Sequence, residues 1–129
     1  MIDVYVRFGG GIMEVGVDCV DIARFSKTAL NKKLSHRIFT DKEIEYCRYR
    51  KPSSQHYAAR FAGKEAVVKA LSPYGVQISL NRIEILNDKD GIPCVRLLDH
   101  EVREKFSVKI SLSHSKNIAI AAAIVSNKK

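Results

Sequence analysis

Glu65 and Lys69 stand four residues apart within Arg60-Phe61-Ala62-Gly63-Lys64-Glu65-Ala66-Val67-Val68-Lys69-Ala70-Leu71. On a helix the two charges lie one turn above the other, with Ser72 close to the same stripe. On an exposed helix such a pair contributes only about 0.2–0.5 kcal/mol. Here the neighbouring positions are apolar on nearly every side, and charges left alone in a core cost several kcal/mol. The pair therefore either lines a polar cleft or forms a structural ion pair. A carboxylate with a lysine one turn on would suit a metal-bound polyphosphate, giving one oxygen ligand and one cation. Asp18, at the end of Ile12–Val17, is either a carboxylate aimed from a strand end into a cleft or a turn former. His114, between Ser113 and Ser115 with Lys116 nearby, is either a phosphate-binding corner or a turn histidine. Its adjacent serines do not make a hydrolase, because triad partners meet through the fold.

These residues need elements to position them. Pro52-Ser53-Ser54 leads into the Arg60–Leu71 stretch and Ser72-Pro73 follows it, which predicts one helix, apolar nearly all round and buried in the domain. Ile12–Val17 reads as a strand. Asp21 reads as the N-cap of a helix running to Leu30, with Ile22, Phe25 and Ala29 on its apolar side. Thr40-Asp41-Lys42-Glu43 is a capping box opening a short helix, and capping alone accounts for Glu43. Beyond Gly75 the period becomes two. Ile83 and Ile85 alternate with polar residues, Asn87–Gly91 turns, and Ile92–Leu97 returns, with Pro93 marking an edge or bulge. Asp99–Lys105 is a short helix. Val108–Leu112 and Ile118–Val125 form a second pair of strands, the last apolar on both parities and so expected to be covered on both faces. Met1–Gly11 reads as an extension, either disordered or holding a short strand through Val4, Val6 and Phe8 that Gly9-Gly10-Gly11 breaks, and residues 12–129 as one domain.

At 129 residues the chain is long enough to bury a real core. No apolar run approaches the roughly 18–20 residues that span a bilayer, and no signal peptide is evident. Cys19, Cys47 and Cys94 are widely spaced, which indicates neither a disulfide framework nor a zinc site and fits a reduced, cytoplasmic compartment. The net charge of +8 is concentrated: Arg24–Lys51 carries nine Lys/Arg against three acids, a net of +6 in 28 residues. Such a patch is either a solvated face or attracts nucleic acid, an anionic membrane, a phosphorylated ligand or an acidic protein.

Several segments taken in order resemble the holo-acyl-carrier-protein synthases, the small bacterial 4′-phosphopantetheinyl transferases. They are Val15-Gly16-Val17-Asp18 with Asp21-Ile22-Ala23-Arg24-Phe25; Ile38-Phe39-Thr40-Asp41-Lys42-Glu43; Arg60–Ala70; Gly91-Ile92-Pro93; and Ser111-Leu112-Ser113-His114-Ser115. Together they span essentially Ile12–Val125. The resemblance implies an α+β fold, an antiparallel sheet packed on a long central helix, assembled as a homotrimer with its sites between subunits. It implies transfer of 4′-phosphopantetheine from coenzyme A to a serine of apo acyl carrier protein, in support of fatty acid biosynthesis. By the same resemblance Asp18 and Glu65 hold Mg²⁺, and Lys69 steadies the phosphates. Arg60, His114 and Ser115 grip the 3′-phosphate, with Lys64 in reach of the same anion. Arg24, with Lys27 added on charge alone, docks the acidic carrier protein. No nucleic-acid or membrane partner is expected. A basic RNA- or DNA-binding module is the rival from another class, but it leaves Asp18, Glu65, Lys69 and His114 unexplained and lacks an aromatic platform. A member that only binds coenzyme A is a second rival. Two departures from the pattern stand out: the extension before Ile12, and Gly63 where alanine is common.

Overall fold

The computed structural model describes residues 9–26 and 32–128. In chain order the elements are β1 (Met13–Asp21), a 3₁₀ turn (Ile22–Phe25), α1 (Lys32–Ile38), α2 (Asp41–Arg48), α3 (Ser53–Leu71), β2 (Ile83–Asn87), β3 (Pro93–Leu97), α4 (His100–Lys105), β4 (Phe106–His114) and β5 (Ile118–Asn127). Two antiparallel sheets form, one of order β1-β5-β4 and one of β2-β3. The strand expected within Met1–Phe8 lies outside the described residues.

Helix α3, 19 residues and about 28 Å long, lies on the three-stranded sheet. Small residues let it approach. Ala58, Ala62, Ala66 and Ala70 recur every fourth position, and all are fully buried, as are Ala119, Ala121 and Ala123 of β5. The approach is closest at Gly16, where a Cβ would stand 1.9 Å from the carbonyl oxygen of Ala66. Glycine is required there by the helix backbone itself, which no rotamer change can move aside.

Four expectations change. First, β1 runs past Asp18 to Asp21, because β5 supplies partners along its whole length, Asp18 opposite Ala121 and Asp21 opposite Ile118. Asp18 is thus inside the strand rather than at its end. Second, Asp21 makes no side-chain cap, and the chain leaves it as the single 3₁₀ turn Ile22–Phe25. The remainder of the helix expected up to Leu30 falls outside the described residues. Third, Ile83, Glu84 and Ile85 are all buried rather than alternating, since Glu84 Oε2 accepts a 2.8 Å hydrogen bond from Thr40 Oγ1. Fourth, β5 is covered on one face only. Ala119, Ala121, Ala123 and Val125 face α3, whereas Ile120 and Ile124 are 46% and 43% exposed. The single chain has one helix to lay against this sheet and, among the described residues, nothing for its other side.

The β2-β3 hairpin forms as read, with Asn87 opposite Pro93. Asp99 caps α4 through the Val102 amide. The capping box at Thr40 and Glu43 is also present. Glu43 does more than cap, however. Its Oε2 accepts from the Ile85 amide at 2.8 Å, and its Oε1 meets Lys64 Nζ at 2.6 Å, both side chains fully enclosed. One carboxylate therefore ties α2, α3 and β2 together.

Candidate active site

The charged residues of α3 divide by helical geometry. At about 100° per residue Lys69 lies half a turn around from Arg60. The sheet meets the side between them. Gly16 of β1 touches α3 at Ala66 and Ala70, while Ile110 and Leu112 of β4 crowd Gly63. One group of residues therefore sits over the β1 edge of the sheet and another over the β4 edge, with α3 between.

On the β1 flank, Lys69 Nζ donates to Asp18 Oδ1 at 3.1 Å and to the Val17 carbonyl at 3.0 Å. Asp18 is on the helix-facing side of β1 because its strand parity matches Gly16 and Val20, both buried. Its side chain is 18% exposed and that of Lys69 54%, so the pair is open to solvent. Glu65 is half-buried one turn earlier, and it has no hydrogen-bond or ion-pair partner among the described residues. Asp18 Oδ2 is likewise unengaged among them. Three oxygens from two carboxylates are thus available beside a lysine. No group of three or more metal-ligating side chains occurs among the described residues. The donor set suits a cation such as Mg²⁺, which takes one or two carboxylates and fills its shell with water and phosphate oxygens.

On the β4 flank, a cavity of about 200 Å³ is lined by Tyr46, His56, Arg60, Asn87, Pro93 and His114, among others. Arg60 is only 2% exposed as a residue, and three hydrogen bonds fix the plane of its guanidinium. Nε donates to the Ile85 carbonyl at 3.1 Å, Nη1 to the His56 carbonyl at 3.5 Å and Nη2 to Asn87 Oδ1 at 3.3 Å. Of its five N–H groups two are left for a ligand. The carbon of that guanidinium lies 4.1 Å from the Tyr46 ring centroid, and that of Arg50 lies 3.4 Å from it. His114 ends β4 and is exposed. Ser115 follows it and closes the turn, its Oγ accepting from the Ile118 amide at 3.3 Å, which leaves its O–H available as a donor.

Lys64 requires a correction. It is 0% exposed, and its ammonium is taken up by Glu43, the Leu80 carbonyl at 2.9 Å and the Ile83 carbonyl. Its three N–H donors are spent inside the domain, and burial holds its pKa below the usual lysine value. It faces neither group of site residues. Sequence spacing placed it beside Glu65 but could not say that Glu43 would meet it from 21 positions earlier.

Arg24 is exposed on the 3₁₀ turn, its guanidinium carbon 5.4 Å from the Phe61 ring and 5.9 Å from the Phe25 ring. Lys27 lies outside the described residues. Lys33, Arg37, Lys42, Arg48, Arg50 and Lys51 are all exposed, so the basic stretch forms solvent-facing surface where it is described. Sequence reasoning missed Tyr46, His56 and Asn87. For His56 a signal existed, because it precedes Arg60 by four residues and so shares its side of α3.

Comparisons with known proteins agree on one family. The sequence pattern of the 4′-phosphopantetheinyl transferase superfamily matches residues 14–123. The holo-[acyl-carrier-protein] synthase of Geotalea daltonii is 41% identical over 124 residues, covering 88% of this chain and 98% of its own. That of a Geobacter species is 42% identical with the same coverage. Among solved structures, the Helicobacter pylori holo-[acyl-carrier-protein] synthase in complex with coenzyme A superposes with a TM-score of 0.74 at 31% identity, covering 87% of this chain and 99% of that one. An ACPS–CoA complex from Chronobacterium ammoniagenes gives 0.74 at 27% identity, covering 91% and 98%.

Proposed function

The chain belongs to the 4′-phosphopantetheinyl transferase superfamily, and on that premise we propose that it is a holo-acyl-carrier-protein synthase. It moves 4′-phosphopantetheine from coenzyme A to a serine of an apo acyl carrier protein and releases adenosine 3′,5′-bisphosphate, a step that supports fatty acid biosynthesis. The observation that carries this reading is a single family match that spans both residue groups, from Asp18 to His114, with relatives of that activity at about 40% identity.

In the reaction the serine oxygen bonds to the phosphorus that carries pantetheine. The bond from that phosphorus to the bridging oxygen breaks, and the serine proton passes to water. Asp18 and Glu65 are the residues that would hold Mg²⁺. When bound, that ion neutralises pyrophosphate charge and fixes the phosphates for in-line attack. Lys69 is already oriented by Asp18 and the Val17 carbonyl, and its remaining N–H meets the negative charge growing on the leaving phosphate. Arg60 offers its two free N–H groups to the 3′-phosphate with His114 beside it. Ser115 closes the turn that sets the position of His114 and has its O–H left to donate to the same phosphate.

The active assembly is a cytoplasmic homotrimer with sites between subunits. Two observations support association through the sheet and sites shared between chains. The outward side of β1 and β5 carries Met13, Val15, Val17, Ile118, Ile120 and Ile124, all 40% or more exposed, whereas β4 turns Lys109, Ser111 and Ser113 outward. A patch that apolar marks an interaction surface. The metal-holding and 3′-phosphate-holding residues also sit on opposite flanks of one helix, so a ligand touching both is most simply met by two chains. The docked partner is an acidic carrier protein, met by Arg24 and the basic surface around it.

The test is intact-mass analysis of an apo acyl carrier protein after incubation with this protein, coenzyme A and Mg²⁺. The expected result is one added phosphopantetheine group, lost in the folded Asp18→Ala and Glu65→Ala variants. An unmodified carrier protein at high enzyme concentration would reject the assignment.

A further inference from the structure

We propose that His56 is a third contact for the phosphate taken by the β4-flank cavity, and that it accepts a proton as the phosphate enters. This rests on the coenzyme reading above and extends it to a residue outside the motifs that carry the family resemblance.

His56 lines the same cavity as Arg60 and His114, from the first turns of α3. Its ring stands edge-on to Tyr46, with centroids 5.9 Å apart, and its own carbonyl accepts from Arg60 Nη1. The backbone of His56 thus orients the guanidinium while its ring shares the space in front. The charged and titratable groups facing the ring come from four directions. Tyr46 comes from α2 and Arg50 from just beyond it, Arg60 from α3 and His114 from β4, while Asn87 of β2 is neutral. No carboxylate lines the cavity among the described residues. The N-terminal turn of α3 adds the positive end of a 19-residue helix.

Those neighbours set the charge of the ring. Burial, and then the charges of Arg60, Arg50 and His114, hold the His56 pKa below its ordinary value of 6.5. Without ligand the ring is neutral near neutral pH. A phosphate carrying nearly two negative charges reverses the balance, because an anion beside an imidazole favours its charged form. The folded-state pKa of His56 therefore rises on binding. Between the free and bound values the complex holds more protons than the free protein, so this residue's share of the affinity increases as pH falls. Below the free value the ring is charged in both states and the dependence ends. Linkage limits the effect to about tenfold per pH unit for one proton.

Titration calorimetry with adenosine 3′,5′-bisphosphate, in two buffers of different ionisation enthalpy, counts the protons taken up per ligand. Wild type is expected to take up a fraction of a proton near neutral pH, beyond that taken by the ligand's own phosphates. His56→Gln should lose that excess and bind several-fold more weakly. His56→Arg, a fixed cation, should lose the excess yet recover affinity, and a simply structural histidine would not be rescued in this way. Adenosine 5′-monophosphate, which lacks the 3′-phosphate, should show no difference in uptake between wild type and His56→Gln. Equal uptake and equal affinity in wild type and His56→Gln would overturn the proposal while leaving the coenzyme reading intact. Failure of folded wild-type protein to bind the bisphosphate at all would instead remove the coenzyme reading, and this inference with it.

Discussion

At the scale of single residues, the same type does opposite work five positions apart. Lys69 keeps its ammonium at the surface, held by one carboxylate and one carbonyl. Lys64 is sealed, and Glu43 is its only charged partner within salt-bridge distance among the described residues. Removing one member of such a buried pair leaves the other charge without compensation, at a cost of about 3–5 kcal/mol. Lys64→Met is therefore expected to lower unfolding stability by that amount in denaturant titrations. The double variant Glu43→Leu/Lys64→Met should lose less than the sum of the two single losses, since neither charge is then left uncompensated, although the buried Ile85 amide loses its acceptor. Strictly additive losses would mean that the two side chains do not act as a pair.

At the scale of elements, the contact of α3 with the sheet depends on what glycine leaves out. A Cβ at Gly16 would overlap the Ala66 carbonyl oxygen at 1.9 Å, and the atoms in its way are helix backbone. A Cβ at Gly63 would meet Ile85 Cδ1 at 2.6 Å and Ile110 Cδ1 at 2.8 Å, the far ends of side chains that can turn aside. Alanine at a helix interior is worth about 1 kcal/mol over glycine, which offsets crowding at Gly63 but gives nothing in a strand. Gly16→Ala is thus expected to destabilise the protein by at least about 1–3 kcal/mol and to lower activity by moving Asp18 relative to Lys69. Gly63→Ala should stay close to wild type in both respects. Paired thermal melts and activity assays decide the matter, and equal effects at the two positions would contradict this account of the packing.

At the scale of the whole molecule, placement on opposite flanks of α3 decides how a trimer would share its sites. Glu65→Ala and His114→Ala should each be inactive or nearly so. After mild dissociation and mixing, activity is expected to return, because an interface can then pair an intact Glu65 flank with an intact His114 flank. No recovery, with mixed trimers confirmed by native mass spectrometry, would put both residues in one chain's site. The basic surface gives a second expectation. Arg24→Glu should raise the KM for an acidic carrier protein with little change in coenzyme A affinity, and added salt should have the same effect on wild type. A KM for the carrier protein that neither salt nor Arg24→Glu alters would end the docking assignment.

The sequence alone was sufficient wherever the information is local. The capping box at Thr40–Glu43, the hairpin around Asn87–Gly91 and the buried helix ending at Leu71 each depend on a few neighbouring residues. The pairing of Glu65 with Lys69 on one stripe came from helical period, and the same arithmetic already separates Arg60 from Lys69 by half a turn. What it could not supply was the partner each face would meet. Whether a lysine is spent or free depends on what packs against it, and for Lys64 that is Glu43 and the carbonyls of Leu80 and Ile83. Asp18 looked like a strand end until β5, a hundred residues later, paired beyond it to Asp21. Period and propensity act over a turn or a few strand residues. Burial and desolvation are set by contacts between distant segments, and only the tertiary structure fixes those.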